Sequence, residues 1–189
     1  MGFLTMSARP VVARAAVARV LTWVLACALG LAVPSRAQPV AGDGAAKARF
    51  ATTMLRFVNW PAASNTGDVH LCLVHQSPAV AAAFSAYNGS TVLGRRLDVV
   101  LNPTSRAAAC DLVFVDGSAP RASPVWPRGD GGTPTLTIGA IDGFLSHGGM
   151  IELVNVNDKL RFDVNLAALR VADLSLSSQA LKLARQVRD

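Results

Sequence analysis

The chain has 189 residues, 51% of them hydrophobic, with 18 Lys and Arg against 12 Asp and Glu. Four of the basic residues fall within the first 37 positions and all twelve acids fall beyond them, so the remainder carries a net charge of only +2. A value so near balance, with no cluster of Lys and Arg, argues against nucleic acid as a partner, because phosphate binding needs basic side chains gathered on one surface.

The first segment runs basic, apolar, small. Arg9, Arg14 and Arg19 precede an apolar run from Val20 to Val33, and Ser35-Arg36-Ala37 puts small residues where a signal peptidase reads. Residues 1–37 are therefore read as a cleaved signal peptide, which exports the protein. The apolar run is shorter than the roughly 20 residues a membrane-spanning helix needs, and no later stretch could span a bilayer. Val24-Leu25-Ala26-Cys27 resembles a lipoprotein processing site, but the residues after Cys27 stay apolar where a mature lipoprotein turns polar, so lipidation is the weaker reading. What remains, roughly 150 residues, suits one domain with a single core. It holds two cysteines, Cys72 and Cys110. An exported protein with an even number usually oxidises them to each other, and a disulfide between strands is expected here.

Residues 38–45 are small and polar and read as a flexible leader, with the folded domain over 46–189. From Ala46, Phe50, Met54, Phe57 and Val58 recur on one helical face until Trp60-Pro61 ends the pattern. Val69 to Val74 is a continuous apolar run of strand length, which suggests burial on both faces. Pro78 to Tyr87 reads as an alanine-rich helix capped by Ser77 and closed by Asn88-Gly89. Leu97–Leu101, Cys110–Val115 and Leu136–Gly139 are further strands, and Ile141 to Ser146 is a helical turn. Met150–Val156 and Lys159–Val164 flank Asn157-Asp158, a pair suited to a two-residue hairpin, in which Leu160, Phe162 and Val164 face the core and Arg161 and Asp163 face away. Ala180 to Val187 closes the chain as a helix with Ala180, Leu181, Ala184 and Val187 inward. The order predicts a single α/β domain: a mixed sheet with helices on both faces, then a C-terminal β-hairpin followed by a helix. Residues 117–134, with four prolines and four glycines, form a long loop whose Trp126 is either a partner anchor or a lid folded over the core.

The residues that do chemistry are scattered. His70 and His75 stand five apart on a strand and so on opposite faces, His147 is remote, and no metal site is expected. There is no Gly-x-Ser-x-Gly elbow and no cysteine left free as a thiolate, and a set such as Ser118, His75 and Asp116 is one that almost any chain of this length offers. Glu152, the sole glutamate, lies within a strand, where a solvated surface role is the default. Gly143, Gly148 and Gly149 match neither phosphate-loop spacing. A non-catalytic binding module without a cofactor is the reading that remains.

Four segments in order carry a resemblance. They are Lys47-Ala48-Arg49-Phe50 through Arg56-Phe57-Val58-Asn59-Trp60-Pro61; Val69 to Val74 with Leu93-Gly94-Arg95-Arg96-Leu97; Cys110 to Val115; and Leu136-Thr137-Ile138-Gly139, Gly143-Phe144, Gly148-Gly149-Met150-Ile151, Leu160 to Leu166 and Leu176 to Leu181. From Lys47 to Arg185 the chain resembles the YfiR/HmsC family. The resemblance implies an α/β fold, export to the periplasm, and inhibition of an inner-membrane diguanylate cyclase through that enzyme's periplasmic part. A small-molecule sensor subunit acting on a histidine kinase or other receptor is the alternative, and a homodimer is left open. Some relatives carry a second cysteine pair near the Gly-Gly-Met-Ile segment, where this chain has Leu145, His147 and Glu152. The candidate partner-binding residues are Trp126, Arg161, Asp163, Arg170 and Gln179, on the hairpin's outer side, the C-terminal segment and the long loop.

Overall fold

The computed structural model describes Gly2 and residues 41–61, 67–104, 110–120 and 134–189. The rest of the expected signal peptide, and Trp126 with most of its loop, lie outside the described residues.

Helix α1 spans Ala41–Met54. Alanine favours it throughout, and Asp43 pairs with Lys47 one turn on, at 2.6 Å. Its buried stripe is Ala48, Ala51 and Met54. After Met54 the chain leaves the helix, and the Trp60 ring N–H donates to the Leu55 carbonyl at 3.3 Å, occupying one of the acceptors that a helix end leaves open. The helix begins five residues before Ala46, inside the stretch read as a leader. Gly44 explains the early start: a Cβ there would stand 3.4 Å from Val80 Cα and from Ala83 Cβ, so the glycine allows α1 to lie close against α2, Pro78–Ser85. In α2 the Ser77 side chain caps the amide of Val80 and Pro78 opens the helix, as its sequence indicates.

Among the described residues ten strands form two sheets. β1 (Val58–Asn59) pairs antiparallel with β9 (Ser175–Leu176). The main sheet holds β2 (Val69–Val74), β3 (Thr91–Val92), β4 (Arg95–Leu101), β5 (Leu112–Val115), β6 (Leu136–Gly139), β7 (Ile151–Val156), β8 (Lys159–Asn165) and β10 (Gln186–Arg188). Their order is β10-β8-β7-β6-β5-β2-β4-β3. The five strands from β4 to β7 run parallel, and β3 and β8 are antiparallel to their inner neighbours. The β7–β8 hairpin turns on Asn157 and Asp158, both left-handed with φ of 51° and 58°, the geometry of a tight two-residue loop.

Alternation along the strands divides the core. Val69, Leu71, Leu73, Leu97, Leu112, Phe114, Leu136, Ile138, Ile151, Phe162 and Val164 point to one face, where they meet α1, α2, α3 (Leu166–Val171) and α4 (Ser178–Leu183). Cys72, Val74, Val113 and Val115 point to the other, with Cys110 and Phe144. Leu160, Phe162 and Val164 do face the helices, and the Phe162 ring lies 5.1 Å from that of Phe50. The mixed sheet and the hairpin followed by a helix are as expected, but helical cover is uneven. Among the described residues all four α-helices contribute to the first face, and the second carries a single 3-10 turn, Leu145–His147.

The chain end corrects one expectation. The helix stops at Leu183, Ala184 is extended (φ −64°, ψ 141°), and residues 186–188 become β10, parallel to β8. Val187 is accordingly 45% exposed rather than inward. Helical spacing in a short C-terminal segment is a weak prior against an open sheet edge that offers backbone partners.

Candidate interaction surface

Cys72 in β2 and Cys110, two residues before β5, are joined with Cα atoms 5.8 Å apart. Both are buried on the second face, and the bridge ties the two central parallel strands there. Next to them the Phe144 ring lies flat over two glycines. A Cβ at Gly139 or Gly149 would stand 2.3 Å or 2.2 Å from that ring, so only glycine fits at either place. Glu152 then holds the turn from β7: its carboxylate accepts from the amide of Gly143 at 3.1 Å and from that of Leu145 at 3.0 Å. In the region where some relatives place a second disulfide, this chain uses these hydrogen bonds. Glu152 therefore has a structural task, in place of the solvated role expected of it.

Directly opposite Glu152 in the hairpin is Asp163. Two carboxylates in such a pair repel, and Asp163 is only 2% exposed. The compensation comes from Arg185, whose Nε donates to Asp163 Oδ1 at 2.8 Å and whose Nη2 donates to Oδ2. Hydrogen bonding to Asp163 raises the Arg185 pKa, and Glu152 adds to it at longer range. The Arg185 amide also donates to the Phe162 carbonyl at 2.8 Å, so one residue docks the start of β10 through backbone and side chain together.

Of the five candidate contact residues, Asp163 is removed from the surface by this pairing and is corrected to a buried structural acid. Arg161 is exposed on the outer side of β8. Arg170 is exposed at the end of α3 and pairs with the C-terminal Asp189; Gln179 is exposed on α4. Trp126 lies outside the described residues. The three exposed residues belong to the elements that end the sheet at β10, which is itself exposed at all three positions. The same helices and strand leave Val171, Leu183 and Val187 60%, 67% and 45% exposed. Sequence reasoning did not single out Arg185 as a partner for Asp163. The clue was Asp163 itself, a carboxylate set between the core residues Phe162 and Val164.

A second polar group sits where β2 and β5 end. Lys47 Nζ lies 2.9 Å from Asp116 Oδ1, and Asp116 Oδ2 accepts from the amide and the hydroxyl of Ser118 at 2.9 and 2.5 Å. Ser118 Oγ in turn accepts from the amides of Gln76 and Ser77, fixing the entry to α2. Burial pushes the Lys47 pKa down, but its bonds to Asp43 and Asp116 outweigh this and the net shift is upward. Burial likewise pushes Asp116 up, and Ser118 and Lys47 bring it below the ordinary value. The serine proton thus goes to a carboxylate, while the buried His75 Nδ1 has no hydrogen-bond partner among the described residues. Ser118, His75 and Asp116 are neighbours without being a nucleophile–base relay. His70 pairs across the sheet with Asp98 at 3.3 Å, and His147 turns back to the Gly143 carbonyl. Among the described residues no helix is long and apolar enough to cross a membrane.

The described residues of this α/β sheet domain use their buried polar side chains to tie segments of the fold together. The YfiR/HmsC-like family profile matches residues 44–185, and the chain belongs to that family. Comparison with curated proteins gives no match. The family is one of periplasmic regulators in cyclic di-GMP signalling, regulatory rather than catalytic, whose members partner a membrane-bound signalling protein.

Proposed function

We propose that the exported domain restrains an inner-membrane diguanylate cyclase by binding its periplasmic part, and that the contact is made at the sheet end formed by β8, β10, α3 and α4. The observation that carries the reading is the apolar residues Val171, Leu183 and Val187, left exposed on elements that also carry Arg161, Arg170 and Gln179. Exposed apolar side chains on elements that also carry polar ones suit a protein–protein contact, and a short edge strand adds free backbone groups that a partner strand or loop can pair with. Family membership supports the choice of a membrane signalling partner. Arg161 then acts at the rim, where charge governs recognition more than stability.

The test is genetic and quantitative. The gene is deleted alone and together with that of its candidate cyclase, and cyclic di-GMP is measured in each strain. Inhibition by this protein raises the nucleotide in the single deletion and leaves the double deletion at the level of the cyclase deletion. In a complemented strain, Arg161→Glu reproduces the rise while the purified variant keeps its unfolding temperature. An unchanged level in the single deletion, under conditions where the cyclase is made, overturns the proposal and favours a sensor subunit serving a histidine kinase or another receptor.

A further inference from the structure

A cavity of about 300 Å³ opens between the last turns of α1 and the connection from α2 to β3. Its volume is at the lower end of the range for small-molecule sites. Arg49 and Thr53 line it from α1, and Arg56 from the turn that follows the helix. Neither guanidinium has a hydrogen bond or ion pair to another described residue. Isolated surface arginines need no explanation, but these two share one concavity. Across from them the wall is made by Tyr87 and Val92, which supply a ring and a branched apolar side chain. Ser90 lies in the same wall, and its buried hydroxyl has no hydrogen-bond partner among the described residues. A buried hydroxyl left unpaired is costly, and in native proteins it commonly marks a place where a small molecule or water completes the bonding.

We infer that this cavity binds a small organic anion, whose acid group is held by Arg49 and Arg56 and whose flat or apolar body lies on Tyr87 and Val92. The guanidinium fork suits a carboxylate or phosphate oxygen pair. A lone inorganic anion would leave the apolar wall unused, and a neutral ring would leave both arginines unused. The site is separate from the sheet end at β10 and does not depend on the identity of any protein partner.

Titration calorimetry of the purified protein with benzoate, benzamide and inorganic phosphate separates the two halves of the inference. Benzoate is expected to bind saturably, and benzamide, which has the same ring without the charge, at least about tenfold more weakly, the scale of one lost charge-assisted contact. Phosphate, which has the charge without the ring, is expected to bind more weakly than benzoate. Arg49→Gln and Arg56→Gln, both exposed and without an ion pair to a described residue, should keep the unfolding temperature and each weaken benzoate by about tenfold. Arg96→Gln, outside the cavity, should leave it unchanged. Absence of saturable benzoate binding overturns the inference. So does equal binding of benzoate and benzamide, phosphate binding as tight as that of benzoate, or benzoate affinity unchanged in both cavity variants.

Discussion

Arg185 reaches back 22 positions to Asp163 and donates two hydrogen bonds to its buried carboxylate, so the last strand of the sheet is locked by a charge pair in addition to its short backbone ladder. With only three residues, β10 has few ladder bonds of its own, and the pair also relieves the repulsion between Asp163 and Glu152. Arg185→Ala should therefore release β10. Amide exchange at residues 186–188 is expected to rise by roughly an order of magnitude or more relative to β5 and β6, which remain protected. Unchanged protection would mean that the backbone ladder alone holds the strand. If the proposed contact lies at this edge, the same variant also raises cyclic di-GMP in cells.

The disulfide makes a separate prediction. Cys72 and Cys110 stand 38 positions apart, and closing such a loop contributes about 4 kcal/mol on the chain-entropy estimate. The unfolded, unreduced protein should show no reactive thiol from either residue. Replacing both by Ala should lower unfolding stability by about that amount in urea, and a loss below about 1 kcal/mol would mean that the reduced chain is already restrained.

Phe162 tests the hairpin register. It is buried on the helical face against Phe50, so Phe162→Ala should cost about 3–5 kcal/mol in denaturant unfolding. Arg161→Ala on the opposite side should fall within about 0.5 kcal/mol. Similar costs for the two would contradict the alternation.

The acid limb of stability should depend on Asp116. Its pKa is held below the ordinary 3.8, so its contribution is present above the unfolded value and is lost as pH falls through the folded one. Lys47, raised above 10.5, contributes below that value and loses its share as pH rises through its folded pKa. The pair is therefore at full strength from about pH 4 to 10. Asp116→Asn should cost about 2 kcal/mol at pH 7, the order of a charged hydrogen bond, with the difference from wild type shrinking below pH 4. A difference that stays constant down to pH 2 would assign the cost to packing.

Much of the architecture was legible as a string because it is fixed by local periodicity. The continuous apolar runs at Val69–Val74 and Leu112–Val115 are buried central strands, Ser77-Pro78 opens a helix, and Asn157-Asp158 turns a hairpin. The disulfide followed from cysteine number and the expectation of export. Each of these depends on neighbours a few residues apart or on composition. The tertiary structure decided what depends on distant partners. Gly44 looked like leader sequence and is a helix–helix contact, because only the approach of α2 makes its missing side chain useful. Residues 186–188 continued a helical pattern and joined a sheet, because the open edge of β8 outcompetes a weak local preference. Asp163 and Glu152 looked like surface acids, and one is buried while the other caps a turn. Their partners, Arg185 and the amides of Gly143 and Leu145, are brought to them only when the hairpin, the turn and the chain end have packed together.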